Sequence, residues 1–167
     1  MPMDFTVVIR DRQRFGDAET EERLEPGVPF VGREREYDFD CPRVDSGEEA
    51  LLLFQTQGAN ARQLLEINGR EIVGGIPEST ETSFAGTDFG FGQSISALVF
   101  GMWTGHVMIV HPGVLRDSNV LRIEATASSG DNVDNFLVDN VVVLFKTRPP
   151  TDTVAGGGST GGLSPAG

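Results

Sequence analysis

The sequence predicts an all-β chain, folded as an antiparallel β-sandwich of jelly-roll type. Three observations carry that expectation. Asn68-Gly69 stands between the runs Leu64 to Ile67 and Arg70 to Val73, and a type I′ hairpin turn needs the positive φ that Asn and Gly tolerate. From Asn119 to Ala127, Leu121, Ile123 and Ala125 alternate with Arg122 and Glu124, the period of two of a half-buried strand. Phe136 to Lys146 is a long apolar run laced with Asp139 and Asn140.

The remaining elements follow in order. Phe5 to Ile9 reads as the first strand. Arg10 to Glu25 is strongly charged, has no sustained helical stripe and admits a helical turn or two within Asp17 to Leu24. Pro26, Gly27 and Pro29 then interrupt the chain, because proline cannot donate to a ladder. From Gly32 to Cys41, Tyr37, Phe39 and Cys41 share one face and Glu36, Asp38 and Asp40 the other. Ala50 to Gln57 is apolar on both faces through Leu51, Leu52, Leu53 and Phe54, as expected near the centre of a sandwich. Gly74, Gly75 and Pro77 open a long polar loop, Glu78 to Gln93, of a length that is commonly functional. Strands are expected again at Ile95 to Phe100 and His106 to Val110. The expected domain is 1–148, followed by a flexible Pro/Gly/Ser-rich tail, 149–167, with almost nothing to bury.

Charge narrows the partners. With 25 acidic against 13 basic residues the chain carries a net charge of -12, which repels nucleic-acid backbones and anionic membrane surfaces. No apolar stretch is long enough to span a bilayer as a helix. The single cysteine, Cys41, rules out an internal disulfide framework and fits a small buried hydrophobe. The opening Met1-Pro-Met-Asp-Phe lacks the pattern of a signal peptide, so synthesis in the cytoplasm is expected, with a virion or a released particle as the route outside.

Leu65-Glu-Ile-Asn-Gly-Arg-Glu-Ile72, then Trp103, then His111-Pro-Gly-Val-Leu-Arg-Asp-Ser-Asn-Val-Leu-Arg-Ile-Glu124 resembles the galactose-binding-domain-like jelly roll, and Asp134-Asn-Phe-Leu-Val-Asp-Asn-Val-Val-Val143 resembles its last strand. The likeness covers about half of the chain, and Arg116-Asp117-Ser118 stands where the family has a glycine turn. It implies the sandwich fold and, among functions, carbohydrate-binding modules, accessory domains and parts of larger particles. It speaks to fold more than to activity.

Candidate site residues each have two readings. Trp103 is either a sugar-stacking platform at a loop end or a core residue between the sheets. Asp131, Asn132, Asp134 and Asn135 offer hard oxygen ligands for Ca2+, and equally the side chains that bond their own backbone in turns. His106 and His111, five apart on one expected strand, face opposite ways and do not share a metal. Phe84, Phe89 and Phe91, set among glycines in the polar loop, are interface candidates. No P-loop, HExxH run, complete dinucleotide fingerprint or nucleophile elbow occurs, and no pair of carboxylates stands out for hydrolysis.

These readings favour a non-enzymatic structural or assembly module without a cofactor. Such a module would self-associate as a homo-oligomer or dock on a larger phage-like or extracellular particle. A carbohydrate-binding module with a glycan partner is the alternative.

Overall fold

Residues that alternate between apolar and polar hydrogen-bond as strands, because only that geometry sends successive side chains to opposite faces. The computed structural model describes residues 2–18, 24–78, 103–129 and 132–149, and among them no helix forms. The strands are β1 Met3–Ile9, β2 Gln13–Phe15, β3 Phe30–Gly32, β4 Glu34–Asp40, β5 Ala50–Gln57 and β6 Leu64–Ile67. They continue as β7 Arg70–Glu71, β8 Thr104–Val110, β9 Ser118–Glu124, β10 Ala127–Ser129, β11 Asn132–Val133 and β12 Phe136–Lys146. The expected loop from 79, the strand at 95–100 and the tail from 150 onward lie outside the described residues.

Two sheets make the all-β sandwich. The large one runs β3-β2-β12-β5-β8, with β1 also beside β12; the small one runs β4-β9-β6-β7. A separate pair, β10 with β11, closes a hairpin. Every pairing is antiparallel except β2 with β3. Because β5 pairs along β12 from Leu137 to Leu144, β1 and β2 share the opposite edge of β12, one after the other.

Between the sheets, Leu52, Phe54, Val138, Val141, Val143 and Phe145 meet Phe39, Leu65, Ile67, Leu121 and Ile123, all of them buried. Phe15 and Phe136 stack with ring centroids 5.4 Å apart. Each such side chain contributes about 1.5–3 kcal/mol on burial. Cys41 lies in this core, and burial pushes its thiol up to about 12.

β12 keeps its apolar residues inward by means of one irregularity. Phe136 and Val138 face the core, and so do Val141, Val143 and Phe145, although the step from 138 to 141 is odd. Asp139 pairs with Gln55 and Val142 with Leu53, so Asn140 and Val141 together oppose Phe54. That is a β-bulge. Asn140 supports it with φ 51°, a left-handed conformation that asparagine tolerates better than most residues.

The Asn-Gly hairpin forms as expected, with φ 54° at Asn68 and 72° at Gly69. The Asn68 side chain donates to the Val114 carbonyl at 2.8 Å and to Asn119 Oδ1 at 2.9 Å, and accepts from Val120 N at 3.0 Å. Asn119 in turn accepts from Arg116 N at 2.8 Å and donates to Arg116 O at 2.7 Å. A pair of asparagines therefore shapes the turn between Val114 and Val120.

Three expectations are corrected. Arg10 to Glu25, read as a charged stretch with a helical turn or two at Asp17 to Leu24, supplies the strand β2, and β3 follows Pro29; their apolar content, Phe15, Phe30 and Val31, is too short to show a period, and 19–23 lie outside the described residues. The strand expected from Asn119 to Ala127 ends at Glu124, and β10 begins at Ala127. β5 was expected to be buried on both faces, yet Leu51 is 37% exposed and Leu53 is half-buried.

Replacing buried Asn119 by alanine is expected to lower the unfolding free energy by about 1–3 kcal/mol, since it removes the partner of the Arg116 backbone and of the half-buried Asn68 amide; urea melts check it. Cys41 is expected to resist alkylation in the folded protein and to react on unfolding, and thiol labelling across a denaturant series measures this.

Candidate functional site

The two outer faces of the sandwich differ in kind. On the small sheet, Arg122 of β9 pairs with Glu34 of β4 at 2.7 Å, Glu66 of β6 at 2.8 Å and Glu124 at 2.5 Å. That face is a charged lattice, the usual solvated side of a half-buried sheet.

The outer face of the large sheet is apolar over much of its extent. Pairing aligns Phe5, Leu144, Leu51 and Ile109 in one row across β1, β12, β5 and β8. The next row is Val7, Val142, Leu53 and Val107. Phe5 is 61% exposed, Val107 66% and Ile109 50%. Met3 extends this field beside Lys146, whose ammonium donates to Glu48 at 2.6 Å. Leu51 is also exposed, while Val7, Leu53, Val142 and Leu144 are half-buried.

The same face turns polar beyond the bulge. Arg12, between β1 and β2, donates to Asp139 Oδ2 at 3.1 Å and also holds Glu25, and both partners raise its pKa, Asp139 foremost. The Arg12 guanidinium also lies over the Trp103 ring, 5.0 Å from its centroid. Such a contact contributes about 0.5–1 kcal/mol where exposed. Beside this cluster an open groove of about 420 Å3 is lined by Arg10, Arg12, Glu25, Pro29, Asp139 and Asn140. It presents donors and acceptors of both signs, a set that suits a hydroxyl-rich ligand better than a purely apolar one.

Trp103 stands half-buried immediately before β8, with the Arg12 guanidinium over its ring. Apolar residues fill the core without it. Asp134 is buried; it accepts from Asn60 N at 2.6 Å, Asn60 Nδ2 at 3.1 Å, Ala61 N at 3.1 Å and Gln63 Nε2 at 2.7 Å. Burial pushes the Asp134 carboxyl up against the pull of those donors. Asn135 accepts from Asp17 N and Ala18 N, both at 3.1 Å, and a Cβ at Gly16 would stand 1.9 Å from its Oδ1. Both Asp134 and Asn135 thus bond the backbone of neighbouring loops. Asn132 lies in β11, and Asp131, Phe84, Phe89 and Phe91 lie outside the described residues. Among the described residues no group of three or more His, Cys, Asp or Glu is placed to hold a metal ion.

The expectation that His106 and His111 share a strand is also corrected, since β8 ends at Val110 and His111 enters a turn. His106 faces inward at the sandwich rim, with Nε2 2.7 Å from Thr56 Oγ1 and its ring 4.8 Å from that of Phe54. Burial lowers its pKa. Sequence reasoning missed Arg12 and Glu25, because nothing local distinguishes them from the other charges of 10–25. It did not assemble the apolar rows, which appear only once four strands are placed in register.

Two measurements follow from this geometry. Trp103 is the single tryptophan, so Arg12→Ala is expected to alter its emission maximum and quenching while leaving the fold intact, read by fluorescence and circular dichroism. A histidine with a lowered folded-state pKa binds fewer protons folded than unfolded, so its stabilising share is present above the unfolded value and lost as pH falls through the folded one. Unfolding free energy is therefore expected to fall as pH drops below 6.5. His106→Gln should flatten that dependence in urea melts across pH.

No protein-family model matches the sequence, and no curated protein matches it. Solved chains similar to it include BuGH86 in complex with neoagarooctaose, at TM-score 0.43 and 14% identity, covering 85% of this chain and 18% of that one. Dimeric latent PorU from Porphyromonas gingivalis is similar at TM-score 0.44 and 14% identity, covering 86% of this chain and 13% of that one. This chain thus spans less than a fifth of either.

Proposed function

We propose that this chain is a non-enzymatic assembly module, a jelly-roll sandwich of galactose-binding-like type that associates with copies of itself or docks on a larger particle. One observation supports the reading above the rest: the large sheet shows solvent two rows of apolar side chains, while the small sheet covers its own outer face with ion pairs. Four strands about 4.8 Å apart and two rows about 7 Å apart make a field of roughly 260 Å2 in projection. Patches of a few hundred Å2 are often functional on monomeric proteins. A flat sheet face without charge is suited to cover by another apolar surface.

A second reading, glycan binding at the groove, is favoured by Trp103. The half-buried indole lies under the Arg12 guanidinium, and Arg12 lines the groove together with Asp139, Glu25 and Asn140. Aromatic faces and charged hydrogen-bonding groups together recognise the two sides of a sugar ring.

The pair Leu51→Lys and Ile109→Lys tests the assembly reading. Both positions are exposed, so the double variant should stay within about 1 kcal/mol of the parent stability. Light scattering is expected to show association of the parent chain with rising concentration and its loss in the variant; a parent chain that stays monomeric and captures no partner refutes the reading. For glycan binding, calorimetry with a panel of oligosaccharides is expected to give heat that Trp103→Ala abolishes.

A further inference from the structure

We infer that the partner surface is the edge of β8: two copies pair their β8 strands antiparallel about Val107, joining two large sheets into one. This inference rests on the assembly reading and names the contact that would serve it.

Sheet edges invite strand pairing, and proteins blunt them with charges, prolines, bulges or very short strands. The other edges among the described residues carry such devices. β4 has Glu34, Arg35, Glu36, Asp38 and Asp40; β7 is Arg70-Glu71; β3 is three residues long; β1 has Asp4 and a register shift between Val7 and Ile9. β8 has none. Its sequence, Thr104-Gly-His-Val-Met-Ile-Val110, holds no charged residue at neutral pH and no proline. It pairs with β5 at seven successive positions without a shift, so the strand is long and regular.

The strand is also complementary to itself. In an antiparallel pair centred on Val107, Gly105 faces Ile109 of the second copy, His106 faces Met108 and Thr104 faces Val110. The largest outward side chain thereby meets the smallest residue. A Cβ placed at Gly105 has no heavy atom within 4 Å, so the isoleucine has room. The pairing also sets the apolar rows of both copies side by side, doubling the field to roughly 500 Å2 in projection.

Charge and area fix the character of the contact. Each copy carries a net charge of -12, so two copies repel, and the neutral β8 edge is where that repulsion is least concentrated. Salt screens it, so association should strengthen with ionic strength, whereas a cationic partner would bind less well. An edge contact falls short of the roughly 800 Å2 per partner of a standard stable interface. The dimer is therefore weak and concentration-dependent.

Val107→Cys tests the register, because Cys41 is buried and leaves the new thiol as the reactive one. At the two-fold centre the paired Cα atoms stand about 4.5–5.5 Å apart, within disulfide reach. Ile109 and its copy stand four residues apart, about 14 Å, beyond it. Copper-phenanthroline oxidation of concentrated protein at high salt is expected to crosslink Val107→Cys into a dimer and to leave Ile109→Cys monomeric. Val107→Lys, checked for its fold by circular dichroism, is expected to lose the concentration-dependent dimer seen by light scattering.

Equal crosslinking of the two cysteine variants, with association intact, overturns the β8 contact and leaves the assembly reading standing. Absence of self-association at any salt overturns the β8 contact, and with it the assembly reading when the chain captures no other partner either. β8 amides protected from hydrogen exchange in a monomer would show that the chain covers its own edge, and that too overturns the inference.

Discussion

The sandwich depends on one irregular pair of residues in its longest strand. β12 supplies buried side chains from Phe136 to Phe145 and is flanked by β1, β2 and β5. A regular strand cannot place Val138 and Val141 on one face, since an odd step reverses the side. Without the extra residue at Asn140, one half of β12 would turn its apolar set to solvent. Val141, Val143 and Phe145 would then leave the core, at about 1.5–3 kcal/mol for each side chain. The left-handed backbone of Asn140 is the local cost of keeping both halves inward.

Much of the frame was legible because it is written in short-range chemistry. Asn68-Gly69 determines its turn by φ alone, and the alternation of Leu121, Ile123 and Ala125 gives the buried face of β9 directly. The bulge left a trace as well: the apolar phase slips between Val138 and Val141, across a residue suited to positive φ. β2 and β3 were not legible. Three-residue strands show no period, and their place is set by pairing with β12 and with each other.

The candidate site was legible only in part, for a related reason. Trp103 could be singled out by type, but its partner Arg12 lies far away in sequence, in a segment where charge is dense and local order faint. Asp134 and Asn135 were recognisable as turn-forming residues, and they bond loops around Ala61 and Asp17 that no local pattern links to them. The apolar outer face is a different case. Leu51 to Phe54 reads as apolar on both sides, and sequence alone equates that with burial on both sides. Whether a second layer covers the outer side is decided by topology, which the residues of one strand do not encode.

Fold and site then share a cause. The bulge that returns Val141 to the core also divides the outer face of the large sheet. On its near side Asp139, opposite Gln55, faces Arg12 and the groove; on its far side Val142 and Leu144 begin the apolar rows. Charge thus lies at the ends of the large sheet, around Arg12 and around Lys146, and on the small sheet, where ion pairs hold it. The field between Phe5 and Ile109 is left neutral within a chain of net charge -12. Long-range repulsion keeps such molecules apart in dilute solution, while short-range burial acts only where two neutral surfaces touch. In the assembly proposed here, that short-range burial acts at the apolar rows and at the β8 edge of the described sheet.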